Sequence, residues 1–97
     1  MVKHVICFKL KDRSKSSAEE AKMVLLGMEN NVPQVRKIDV HLDELRSQRS
    51  YDVMLEVLVD DWNSLDEYQK DRYHCDVVKT YMHAHTETSV AMDYEVK

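Results

Sequence analysis

Tyr51-Asp52-Val53-Met54-Leu55-Glu56-Val57-Leu58-Val59 is the stretch that decides the fold. Tyr51, Val53, Leu55, Val57 and Val59 make one unbroken apolar row, and Asp52, Met54, Glu56 and Leu58 make the other. Period-two alternation of β-branched residues predicts a strand with one face on a core. The opposite face is mixed, half apolar and half charged.

The same alternation recurs on both sides of this strand. Val35 to Leu42 puts Ile38, Val40 and Leu42 on one face, and a polar connection, Asp43 to Ser50, follows it. Val2 to Leu10 puts Val2, His4, Ile6, Phe8 and Leu10 together. Thr88, Val90, Met92, Tyr94 and Val96 give a fourth strand. Between the strands the period changes. Ser17-Ala18-Glu19-Glu20 has the form of a capping box, and Ala18, Ala21, Val24, Leu25 and Met28 then recur at helical spacing to about Asn30, before Asn31 and Pro33 end the run. Ser64-Leu65-Asp66-Glu67 is a second such box, and it opens a helix that reaches Tyr81 or Met82.

The order βαββαβ predicts an α+β domain of the ferredoxin-like kind, a four-stranded antiparallel sheet with both helices on one face. The other face is predicted to carry Val5, Cys7, Met54, Leu58 and Ala91 among Lys3, Lys9, Glu56 and Asp93. That face is too apolar for ordinary exposure and too charged for a monomer core, so a homodimer packed sheet to sheet is expected.

The chain has 97 residues, 43% hydrophobic and 33% charged, with one Gly and one Pro, which fits a single domain over residues 1–97 without disordered tracts. A net charge of −4 gives no general attraction to phosphate backbones, so nucleic acid is not an expected partner. No apolar run approaches the roughly 20 residues needed to cross a bilayer, and residues 1–4 enter a strand pattern, so a cytoplasmic protein off the membrane is expected. Cys7 and Cys75 have neither metal-ligand nor Cys-x-x-Cys spacing and are expected to be reduced. His83-Ala84-His85 reads as a solvated segment; as a strand it would aim two imidazoles one way, without a third ligand nearby. No cofactor motif is present, and none is expected.

Several segments, taken in order, resemble the stress-responsive dimeric A/B barrel (Dabb) family. They are Val2-Lys3-His4-Val5-Ile6 leading into Phe8-Lys9-Leu10-Lys11-Asp12, then Val32-Pro33, then Ser47-Gln48-Arg49-Ser50-Tyr51-Asp52, then Tyr68 followed by His74, and finally Met92-Asp93-Tyr94-Glu95-Val96. The resemblance covers nearly the whole chain and implies a ferredoxin-like subunit that pairs into a dimeric α+β barrel. A plant member of the family closes a linear polyketide by aldol condensation without a metal or organic cofactor.

Read from residues alone, His4 is a hydrogen-bonded core histidine, Tyr68 a packing aromatic and His74 a helix-end residue. The resemblance implies instead that all three surround a cavity, with His74 as base and Tyr68 and His4 as helpers. Tyr68 and His74 are six residues apart, about 600° of helical rotation, so on one straight helix they diverge by some 120° and meet only if the helix breaks between them. The family's usual proline supplies that break, and Arg72 stands in its place here. Leu25 and Val53 fall where the plant cyclase has a tyrosine and a histidine, and with Leu55 they predict a more apolar, substrate-binding wall. Three functions are compatible with this pattern. The first is a cofactor-free enzyme on a small carbonyl or polyketide-like compound. The second is a non-catalytic dimeric module that binds a small apolar ligand, and the third is a relative of the cofactor-independent monooxygenases.

Overall fold

The computed structural model describes residues 1–97. Strands β1 (Val2–Leu10), β2 (Lys37–Leu42), β3 (Val53–Val59) and β4 (Thr86–Glu95) form one sheet in the order β2-β3-β1-β4, with every neighbouring pair antiparallel. Helix α1 (Lys15–Leu26) runs into a 3-10 turn (Gly27–Asn30), and α2 (Trp62–Lys70) is followed by a π-helical segment (His74–Lys79) and α3 (Thr80–His85). The expected βαββαβ order is therefore present, with the second helical stretch divided. No helix is long and apolar enough to cross a membrane.

The core lies between the sheet and the helices. Val53, Leu55, Val57 and Val59 of β3 are all buried against Ala18, Ala21, Leu25 and Met28 from the first helical layer and Tyr68, Val78 and Met82 from the second. Each fully buried aliphatic side chain contributes about 1.5–3 kcal/mol, so the apolar row of β3 suffices to hold the sheet to its helices.

Both helices begin three residues before their expected starts. Ser14, extended at φ −70° and ψ 157°, accepts the Ser17 N–H, and Asp61 accepts the Ser64 N–H. The two serines read as caps are thus the capped third residues, because an oxygen one turn upstream already serves each N–H. His83 and His85 lie on α3 and not on a strand-like or loop segment, so their side chains point about 160° apart and share no face. Gly27 leaves space where a Cβ would stand 2.8 Å from the Tyr73 hydroxyl.

The β4 faces are the reverse of those expected. Met92 pairs with Val5 and Val90 with Cys7, while Ala91 pairs with Ile6 and Asp93 with His4. Val90, Met92 and Tyr94 therefore join Val5, Cys7, Met54 and Leu58 on the open face, and Ala91 and Asp93 face the helices. Period two shows which residues share a face, but only the register shows which face that is.

Asp52 also departs from the expected mixed face. It precedes β3, is fully buried, and accepts from the Leu10 N–H at 2.8 Å, Arg13 Nε at 3.0 Å and Arg46 Nη1 at 3.1 Å. Arg46 sits at φ 60°, a left-handed conformation uncommon for a residue with a Cβ, with its N–H bonded to Asp43. The carboxylate thus ties the end of β1 and the β2–β3 loop to the start of β3. Asp52→Ala strands the Leu10 N–H in the interior, so urea unfolding should show a loss of about 1–3 kcal/mol; an unchanged midpoint would remove the clasp from this description.

Candidate functional site

Asp71-Arg72-Tyr73-His74 creates the site. Asp71 leaves helical geometry (φ −57°, ψ 137°), and its side chain accepts the His74 N–H at 3.0 Å. Asp71 is therefore the N-cap of a new helical stretch, Arg72 its first residue and His74 its third. Proline suits a first position because the N–H there has no intrahelical partner, and it is not required there. Arg72 fills the position with its side chain in solvent, paired with Asp76 at 3.5 Å.

The break lets Tyr68 and His74 converge, with ring centroids 4.3 Å apart and planes at 31°. His4, from the inner strand β1, meets Tyr68 edge-on at 5.6 Å. All three are buried, His4 at 3% exposure, Tyr68 at 0% and His74 at 7%.

Each polar group has a defined environment. His74 Nδ1 lies 2.9 Å from the Tyr68 carbonyl oxygen. A carbonyl only accepts, so Nδ1 carries the proton and Nε2 keeps the lone pair. Burial is the main force holding the His74 pKa below its ordinary value; Lys79 and His4 push it the same way, against the Tyr68 carbonyl and Asp71. His74 is thus a neutral imidazole of fixed tautomer at neutral pH. The Tyr68 hydroxyl donates to Met28 Sδ at 3.6 Å, and burial, helped by Asp71, raises its pKa far above that of an ordinary phenol. Tyr68 therefore orients His74 through its backbone carbonyl, while its hydroxyl turns inward.

Asp93, absent from the sequence-derived site, hydrogen-bonds His4 Nδ1 from β4, and His4 Nε2 is buried without a partner. The signal for Asp93 was a carboxylate inside an otherwise alternating apolar strand. Its meaning depended on the β1–β4 register, which brings residues 4 and 93 opposite one another.

A cavity of about 90 Å³ has the apolar Ile6, Phe8, Leu25, Leu55, Val78 and Met82 in its wall, together with Gln69, His74 and Lys79. Of the expected binding residues, Leu25 and Leu55 line it and Val53 does not; of the expected catalytic residues, His74 lines it, and Tyr68 and His4 are buried outside its wall. A larger concavity of about 650 Å³, between α1 and β2, includes none of these groups. No three His, Cys, Asp or Glu side chains gather in a metal-binding arrangement.

The depressed His74 pKa has a consequence for stability. The unfolded chain takes up a proton at this histidine at a higher pH than the native state does. The stabilisation is therefore present above about pH 6.5 and is lost as pH falls through the lower native pKa. Thermal melts of the wild type should fall over that acidic window, and His74→Gln should flatten this part of the profile; identical profiles would remove the buried neutral imidazole.

The family model for the stress responsive A/B barrel domain matches residues 2–96. No curated protein matches in sequence. Among solved structures, the Arabidopsis thaliana protein At3g17210 is similar at a TM-score of 0.85 and 19% identity, covering 100% of this chain and 96% of that one. A dimeric ferredoxin-like protein of unknown function from Thermobifida fusca is similar at 0.83 and 16%, covering 98% and 90%. A Dabb family protein with a ferredoxin-like fold from Mesorhizobium loti is similar at 0.82 and 15%, covering 99% and 96%. Identities this low speak for the fold alone, but the family match spans almost every residue. The chain belongs to the stress responsive A/B barrel domain family.

Proposed function

We propose that this protein is a homodimer in which each subunit removes a proton from a carbon next to a carbonyl of a small compound, without a cofactor, using His74 as base. The observation that carries the reading is the state of His74: neutral, fixed in tautomer by the Tyr68 carbonyl, and set in the wall of an apolar cavity. The Nε2 lone pair takes the proton, the C–H electron pair becomes the C=C bond of an enolate, and the carbonyl oxygen takes the negative charge. In an aldol closure the enolate carbon bonds to a second carbonyl carbon, and the imidazolium returns its proton to the new alkoxide. Tyr68 positions His74, and His4, backed by Asp93, packs edge-on against Tyr68 outside the cavity wall and helps only through it.

Dimerisation is supported by the open face. Met92 is 70% exposed and Val90 52%, alongside the half-buried Val5, Cys7, Met54 and Leu58, an apolar surface that a second sheet would cover. The similar proteins from Thermobifida fusca and Bacteroides fragilis are described as dimeric. One observation favours a second reading, a binding module without catalysis. The cavity is well below the roughly 300 Å³ of an ordinary ligand pocket, and the Tyr68 hydroxyl is turned away from it.

Two experiments test these statements. Light scattering at micromolar concentration should give twice the chain mass, and Met92→Glu should give a folded monomer, since this exposed position costs an isolated subunit little; a monomeric wild type overturns the dimer. Deuterium incorporation beside the carbonyl of butanone in D2O should be accelerated by the wild type and reduced about 100-fold or more by His74→Gln. Equal rates in both would leave the binding module as the better reading.

A further inference from the structure

The turn that carries His74 is π-helical, from His74 to Lys79, and it ends on a lysine. A π-turn closes between residues five apart, so its first and last side chains stack on one face, whereas an α-helix would send them about 140° apart. His74 and Lys79 accordingly line the same 90 Å³ cavity. Thr80 Oγ1 donates to the Cys75 carbonyl at 3.3 Å and Cys75 Sγ to the Gln69 carbonyl at 3.3 Å, side-chain bonds that accompany the departure from α geometry.

Lys79 stands where two spaces meet. An outer chamber of about 390 Å³, lined by Thr86, Thr88 and Ser89 of β4, shares Phe8, Lys79 and Met82 with the inner cavity. The neighbouring cations Lys70 and Arg72 are paired with Asp66 and Asp76. The Lys79 ammonium is exposed, donates to the Gln69 carbonyl at 3.1 Å and has no carboxylate partner. The inner wall beyond it is apolar except for Gln69 and His74, and its volume is smaller than the roughly 150 Å³ that accepts a benzene ring. The one carboxylate of the outer chamber, Glu87, repels any anion that enters, a dianion about twice as strongly as a monoanion, so the single positive charge of Lys79 suits one negative charge and not two.

We propose that the π-turn makes Lys79 the anion-binding residue of this cavity, and that the ligand is a short-chain aliphatic monocarboxylate, its hydrocarbon end inward and its carboxylate on Lys79. For catalysis the corresponding substrate is an oxo acid of this kind. The proposal rests on reading the cavity as a ligand site, and the binding itself does not depend on His74 acting as a base.

The test is an NMR titration of the wild type with pentanoate and with its neutral counterpart pentanamide, following the five histidine rings. Pentanoate should move the His74 signals and leave His41 unmoved. Lys79→Met should weaken pentanoate about tenfold, Lys79→Arg should keep most of the affinity, and pentanamide should bind weakly and be indifferent to both changes. Equal affinity for pentanoate and pentanamide, no effect of Lys79→Met, or no movement at His74 each overturns the proposal. Pentanoate bound in the expected manner, with no deuterium incorporated into butanone, would defeat the catalytic reading and leave the carboxylate site standing.

Discussion

One carboxylate decides the geometry of the site. By accepting the His74 N–H, the Asp71 side chain ends α2 and starts the next helical stretch within a single residue. A continuous helix would hold Tyr68 and His74 on diverging faces. The break instead folds His74 back until its ring lies beside Tyr68 and its Nδ1 reaches the Tyr68 carbonyl, which accepts this bond on one lone pair and the Asp71 N–H, at 3.2 Å, on the other. The cap therefore solves two problems together. It satisfies an N–H at the start of one stretch, and it leaves a carbonyl at the end of the other to orient an imidazole.

The sheet supplies the second half of the arrangement. β1 lies between β3 and β4, so an inward side chain on it is covered on both flanks. His4 there needs a polar partner, and Asp93 on β4 provides one for Nδ1 alone. The unpartnered Nε2 is a buried polar atom of the sort that folding alone does not favour, since leaving it unsatisfied costs about 1–3 kcal/mol. Asp52 makes a useful contrast. It is more completely buried, but its two arginines and the Leu10 N–H occupy it fully, and its part in the structure is to fasten loops.

The apolar surface has a similar division of labour. On β3 the inward row builds the core, and on β4 the apolar row lies on the open face while Ser89, Ala91 and Asp93 lie on the helix side of the sheet, where this edge strand remains exposed. The consequence is that the bulk of β4's apolar area lies on the open face.

The amino-acid sequence determined the element order and the single core, because strand and helix periodicities are local properties written into residue spacing; His4, Tyr68 and His74 were singled out by the family resemblance and not by periodicity. Of the two positions compared with the plant cyclase, Leu25 lines the cavity and Val53 does not. What the sequence left undecided were quantities set by partners distant along the chain. The side of the sheet on which Val90 and Met92 lie depends on the register with β1, which also brings Asp93 to His4. Ser17 and Ser64 carry the right cap chemistry, but Ser14 and Asp61 upstream had the extended backbone needed to cap them. Arg72 in place of proline left the helix break open from sequence, since a break needs only a capped start, and whether Asp71 reaches the His74 N–H is settled by backbone geometry. Lys79 was invisible as a cavity residue for the same reason: at α-helical spacing it turns away from His74, and only the π-turn, a product of packing in three dimensions, puts both on one wall.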